Sequence, residues 1–263
     1  MGGKRSRGGI DVFFHSSLKR SLKIDRGFCY RCFRPQSTCF CGDIEAISTE
    51  TRFVILMHPK EARKVKLGTG RLTHLCLKNS EILTGVDFTE DQRINYLLKD
   101  PFYYPVLLYP GEGSVDISEF HFPEDASDKR KILVFVIDAS WTLAKKMLKL
   151  SANLSALPKI RFHPQEPSRY VIKQQPHENC LSTIESVHFL LLELDRLGIE
   201  DCQGKHRSLL DFLDKICKHQ LECTRDATLP GYRKNGAALS GKKRWPDQSR
   251  YPGKRQRRSI SFD

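Results

Sequence analysis

A chain of 263 residues, 39% hydrophobic and 29% charged, has the length and composition of one large globular domain or two small ones. No apolar run approaches the roughly 18 to 20 residues that cross a bilayer, and basic Met1 to Lys23 lacks the apolar stretch of a secretory leader, so membrane-spanning, secreted and collagen-like classes are not expected. The net charge of +13 lies on two tails: residues 1–27 carry seven Lys/Arg against two Asp, residues 232–263 carry ten against two, and residues 28–231 balance at 27 each.

Residues 1–27 read as a basic arm, with Gly2-Gly3 and Gly8-Gly9 as breakers. Residues 28–48 hold Cys29-x2-Cys32-x6-Cys39-x-Cys41. Two close pairs across a short loop supply four thiolates to one tetrahedral ion, the geometry zinc prefers, and a closed four-thiolate site is structural rather than catalytic. Cys39-x-Cys41 is tighter than the usual two-residue gap, and a redox pair is the competing reading. Arg31 and Arg34 would partly offset the thiolate charge. The other five cysteines are scattered, several in apolar stretches, and read as small reduced core residues.

Strands and helices alternate from residue 49 to 230. Arg52-Phe-Val-Ile-Leu-Met57 reads as a buried strand leaving through His58-Pro59. Glu61 to Lys78 has helical periodicity broken at Gly68 and Gly70. Expected next are a strand over 81–86, a helix over 91–99 and a strand over 104–109, closed by Pro110-Gly111-Glu112-Gly113. Lys131-Ile-Leu-Val-Phe-Val-Ile137 is apolar after its first residue, as in a strand covered on both faces. A helix follows from Ser140 or Trp141 to about Ser151, with Leu143, Ala144, Met147, Leu148 and Leu150 at helical spacing. Tyr170-Val-Ile-Lys173 reads as a short strand, 181–197 as an apolar helix ended by Gly198, and 208–222 as a last helix. Residues 231–263 are Arg/Lys/Gly-rich and read as a disordered tail.

This order predicts an α/β domain with a largely parallel sheet and helices on both faces. Ligands of such sheets bind outside the carboxyl ends of the strands, which selects three loops: His58 to Glu61, Pro110 to Ser114, and Asp138 to Trp141. No G-x-G-x-x-G or P-loop pattern is present, so a dinucleotide dehydrogenase or nucleotide hydrolase is unsupported. Asp138-Ala-Ser-Trp141 has two readings: helix capping with Trp141 in the core, or a carboxylate beside a ring that stacks a base. Ser182-Thr-Ile-Glu185 fits a capping box. Lys173 would meet a carboxylate or phosphate near the same sheet edge, and His58 is either a ligand or a structural hydrogen-bonding group.

The cysteine knuckle, Met57-His-Pro-Lys-Glu61, Asp138-Ala-Ser-Trp141, Tyr170-Val-Ile-Lys173 and Leu181-Ser-Thr-Ile-Glu185 occur in this order, and together they resemble the DTW-domain family, the tRNA-uridine aminocarboxypropyltransferases. The resemblance runs from about Phe28 to Leu197. Two positions depart from the family pattern: Ser140 stands where a Thr is usual, and Lys173 where an Arg is, which keeps charge but loses bidentate geometry. The resemblance implies a SPOUT-like, knotted α/β domain. It implies S-adenosylmethionine as donor of a 3-amino-3-carboxypropyl group to N3 of a uridine in tRNA. On that reading Asp138 is the general base, with Ser140 and Trp141 beside it. Lys173 meets the donor's carboxylate and Glu185 its ammonium. Pro110, Gly111, Leu181, Ser182 and Thr183 cradle the adenosine part. The basic tails hold tRNA phosphates.

Three competing readings follow. They are transfer of the same group to ribosomal RNA, SPOUT-like methyl transfer, and a zinc-knuckle RNA-binding protein without catalysis. A cytoplasmic location is expected; in a eukaryotic source Lys242-Lys-Arg244 and Lys254-Arg-Gln-Arg-Arg258 also fit a nuclear signal. The sequence fits a monomer and a homodimer equally.

Overall fold

The computed structural model describes residues 27–64, 68–122, 130–164, 166–172 and 180–225. The basic arm before Gly27, the basic tail and Lys173 lie outside them.

The cysteine knuckle opens with a two-residue antiparallel pair, β1 (Phe28–Cys29) and β2 (Arg34–Pro35). Between them the Phe33 amide donates to the Cys29 carbonyl at 2.8 Å, with Phe33 in the left-handed region at φ 57°. The main domain starts with β3 (Arg52–Met57), followed by α1 (Pro59–Lys64), α2 (Thr69–Cys76) and β4 (Ser80–Thr84). Next come α3 (Gln92–Lys99), β5 (Tyr103–Leu108), β6 (Ser114–Asp116) and β7 (Lys131–Asp138). The chain continues through α4 (Trp141–Leu150), α5 (Ala152–Ser155), β8 (Lys159–Arg161), α6 (Thr183–Arg196) and α7 (Arg207–Arg225).

The six strands from β3 onward form one sheet in the order β4-β3-β7-β5-β8-β6, and every pairing in it is parallel. Strand β7 lies inside it, and alternation along that strand divides the core. Val134 and Val136 join Phe53, Leu72, Ile184 and Leu209 on the face covered by α2, α6 and α7. Leu133 and Phe135 join Val54, Leu56, Ile94 and Met147 on the face covered by α3 and α4. Burial on both faces explains the unbroken apolar run.

Local chemistry sets the helix ends. The Asp91 carboxylate accepts from the Ile94 amide at 2.9 Å and starts α3. Gly198, at φ 70°, follows α6, a conformation that costs glycine nothing.

Four expectations change. Tyr170-Val-Ile forms no strand: Val171 and Ile172 are in a turn, and Ser168 and Arg169 just before it are bound to Glu185 rather than to a sheet neighbour. Gly70 does not break a helix; it lies inside α2, against Asp138. Leu150, the last residue of α4, is exposed where its spacing predicts burial. Strands β6 and β8 and helix α5 were not anticipated, because three- and four-residue elements leave no period to read.

Candidate active site and metal centre

All six strands being parallel, their carboxyl ends share one edge, and a cleft of about 310 Å³ opens there. Tyr109 and Pro110 follow β5, Asp138 to Trp141 end β7 and open α4, and Arg161 to Pro164 follow β8. Glu61 and Thr69 enter from α1 and α2, while Tyr170 and Cys180 to Thr183 close the remaining side. Seven of the predicted site residues therefore meet: Pro110, Asp138, Ser140, Trp141, Leu181, Ser182 and Thr183. Gly111 and Glu185 do not line the cleft.

Asp138 is buried at the end of β7, and its Oδ1 accepts the Thr183 hydroxyl at 2.6 Å. Ser140 occupies the N-cap position of α4 without a side-chain cap bond and is an exposed residue. The capping reading of Asp138-Ala-Ser-Trp141 is thus not realised. Trp141 is half-buried on the cleft wall, its ring 6.3 Å from that of Tyr109 and tilted 58°.

Gly70 has a steric reason. A Cβ built there would lie 2.5 Å from both Cγ and Oδ2 of Asp138, so α2 approaches the carboxylate only because the position has no side chain. The next residue, Arg71, lays its guanidinium 4.2 Å from the Phe33 ring centroid of the knuckle. Burial pulls the pKa of Arg71 down, against the opposing pull of Asp138 and then of Cys32. Arg71 thus stands between knuckle and cleft.

Glu185 is 1% exposed and forms the capping box of α6 with Ser182. Its oxygens accept the Ser182 amide at 2.7 Å, the Arg169 amide at 2.6 Å, and the hydroxyls of Ser182 and Ser168. The carboxylate therefore fastens the 168–170 stretch to the head of α6, behind the cleft wall. Burial raises the pKa of the Tyr170 hydroxyl on that wall. His58 is structural: its Nδ1 accepts the Lys60 amide at 3.0 Å, and burial lowers its pKa.

In the knuckle the Sγ pairs Cys29–Cys41 and Cys32–Cys39 are each 3.7 Å apart, and all four sulfurs lie within 4.8 Å of one another. A tetrahedral ion with Zn–S of about 2.3 Å requires sulfur edges of about 3.8 Å, so the thiols fit zinc. The Cys41 amide donates to Cys39 Sγ at 3.4 Å, which explains how a one-residue gap serves. Backbone donors of Cys32 and Arg31 lower the Cys29 thiol to about 6. Elsewhere Cys76, Cys202 and Cys217 are buried, as expected of core thiols.

The sequence reading missed Arg161, Phe162, Tyr109, Tyr170 and Thr69. Position at the end of a legible strand was an available signal for Tyr109 alone; Arg161 ends β8 and Phe162 follows it, and that strand is too short to read.

A parallel α/β sheet with a carboxylate-bearing cleft at its carboxyl edge, next to a four-thiol knuckle, defines the class of protein. The chain belongs to the DTW-domain family, whose model, described as "DTW domain", matches residues 26–221. It is similar to tRNA-uridine aminocarboxypropyltransferase 2 of Mus musculus, 30% identical over 199 residues, covering 74% of this chain and 63% of the relative. The Drosophila melanogaster protein of the same name is 31% identical over 206 residues, covering 75% of this chain and 76% of the relative. The Arabidopsis thaliana tRNA-uridine aminocarboxypropyltransferase A is 27% identical over 222 residues, covering 74% and 81%. The chain spans just under two thirds of the length of the mouse relative. No solved structure matches. Among the described residues no helix is long and apolar enough to cross a membrane.

Proposed function

We propose that this protein transfers the 3-amino-3-carboxypropyl group of S-adenosylmethionine to N3 of a uridine in tRNA, giving 3-(3-amino-3-carboxypropyl)uridine. The observation that carries the reading is the Thr183–Asp138 hydrogen bond, which joins two of the family's motifs in one cleft. The family assignment and the names of the relatives support the same reaction. The all-parallel sheet, with its cleft at the carboxyl edge, supports a SPOUT-like fold.

The cleft suits a donor that carries a nucleoside and an amino acid. It offers Trp141 and Tyr109 as aromatic surface, Glu61 and Asp138 as carboxylates, and Arg161 as a cation. When bound, the sulfonium supplies an activated carbon for transfer. The protein must then aim that carbon at N3 and accept the N3 proton. Asp138, oriented by Thr183, takes the proton. Ser140 and Trp141 flank the base. Pro110, Leu181 and Ser182 hold the adenosine part, with Gly111 shaping the turn after Pro110. Glu185 acts through the loop it fastens, its oxygens being committed to four protein donors. Zinc in the knuckle holds the fold, and the basic tails bind tRNA phosphates.

The test is to incubate the full chain with S-adenosylmethionine and unmodified tRNA, digest the RNA and weigh the nucleosides. A uridine heavier by one aminocarboxypropyl group, with methylthioadenosine released, is expected. A methyl increment would move the protein to methyl transfer. Modification of ribosomal RNA alone would keep the chemistry and replace the substrate. No modification of either RNA would leave an RNA-binding protein.

A further inference from the structure

Arg161 ends β8, the three-residue strand between β5 and β6. Its neighbour Ile160 is fully buried in the core, which fixes the strand in depth and delivers Arg161 to the carboxyl edge. Arg161 is the one lysine or arginine among the described residues lining the cleft, and it also lines a shallower polar depression next to it. Its Nε is buried and has no hydrogen-bond partner among the described residues. No ion pair there includes it either, although Asp116 and Glu193 border the depression: Asp116 is held by His163 at 2.9 Å, and Glu193 by Arg196. A buried guanidinium nitrogen without an acceptor carries a desolvation cost that a bound anion would remove.

The charge pattern of the cleft identifies the anion. Two carboxylates, Glu61 and Asp138, and one guanidinium line it. S-adenosylmethionine carries the inverse set: two cations, its sulfonium and its ammonium, and one carboxylate. A phosphate of the RNA backbone would match Arg161 but would set its charge against the two acidic groups. We propose that Arg161 binds the carboxylate of the transferred amino-acid portion of the donor. Lys173 lies outside the described residues; Arg161 is the cation that the cleft wall itself supplies, and its planar fork suits a carboxylate. The inference rests on the aminocarboxypropyl-transfer reading.

Calorimetry on the full chain tests it, with three ligands: S-adenosylmethionine, its decarboxylated analogue, which lacks only the carboxylate, and methylthioadenosine, which lacks the whole amino-acid portion. The wild type is expected to prefer S-adenosylmethionine over the decarboxylated analogue by roughly 10- to 100-fold. Arg161→Met is expected to abolish that preference, leaving methylthioadenosine affinity within about twofold. Arg161→Lys is expected to keep part of it. A preference that survives Arg161→Met overturns the proposal, as does an equal loss for methylthioadenosine, which would mark a structural role. Unchanged donor binding with weaker tRNA binding and a salt slope lower by about one would assign Arg161 to a phosphate instead. If Arg161→Met does not fold, the wild-type comparison decides: equal affinity for the two donors overturns the proposal. A wild type that binds neither donor removes the functional reading itself, and this inference with it.

Discussion

The Thr183 hydroxyl donates to Asp138 Oδ1 across 2.6 Å, joining the first residue of α6 to the last residue of β7. The bond sets the direction of the carboxylate in the cleft. In the proposed reaction Asp138 is the base; Asp138→Asn keeps the shape and removes that function, so transfer to tRNA under single-turnover conditions should fall roughly 100-fold or more. Thr183→Val should cost roughly tenfold in the same assay, the scale of one hydrogen bond to a charged group. Unchanged turnover in Asp138→Asn would remove the residue from the chemistry.

Gly70→Ala has an unusual sign. In an ordinary helix interior the change stabilises by about 1 kcal/mol. Here the added methyl would meet Asp138 Cγ and Oδ2 at 2.5 Å. The variant should instead be less stable by about 1–3 kcal/mol in urea unfolding and should lose most of its turnover, because the carboxylate must move.

The knuckle should hold one zinc per chain by elemental analysis. Cys32→Ser or Cys41→Ser should release it and lower Tm by roughly 5–15 °C. A chelator should do the same to the wild type, more readily as pH falls, because protons compete for the thiolates. A wild type without metal whose Tm ignores chelator would contradict the structural-zinc reading.

His188 and His206 form a buried pair. The Nδ1–H of His188 donates to the His206 carbonyl at 2.8 Å, and the two Nδ1 atoms are 3.3 Å apart, which suits two neutral rings. Burial lowers the pKa of both below that of the unfolded chain. Each therefore contributes stability that is fully present above the unfolded pKa of about 6.5 and is lost as pH falls below it. Chemical unfolding at pH 7.5 and 5.5 should show this loss, and His206→Gln should flatten the slope.

Deleting residues 232–263 removes ten Lys/Arg. The affinity for tRNA should fall, and its dependence on salt should become shallower, with donor binding unchanged.

Much of this site was legible because its residues follow strands. Asp138 and Pro110 come directly after apolar runs, and the Ser182–Glu185 spacing is the signature of the capping box that forms. Arg161 was not legible: its strand has three residues, and its importance comes from neighbours far away in the chain. Gly70 read as a breaker because a sequence does not show what a missing Cβ makes room for. Tyr170-Val-Ile misled through its β-branched pair, where tertiary hydrogen bonds to Glu185 override local preference.

The strand order has a consequence for how the chain is made. Of the five ladders in the sheet, four need β7 or β8, so until residue 131 is synthesised only β3 and β4 have each other. Strand β5, with Val106 and Leu107 fully buried in the finished sheet, has neither partner when it leaves the ribosome. The nascent chain therefore carries two apolar edges through the interval before β7 arrives to close between them, a long-range parallel assembly that is slow and exposed to aggregation. Chains arrested before Asp138 should depend most on a chaperone, those arrested after Arg161 less, because the ladders are then paired, and those arrested after α7 least, because α6 and α7 then cover the sheet's other apolar face.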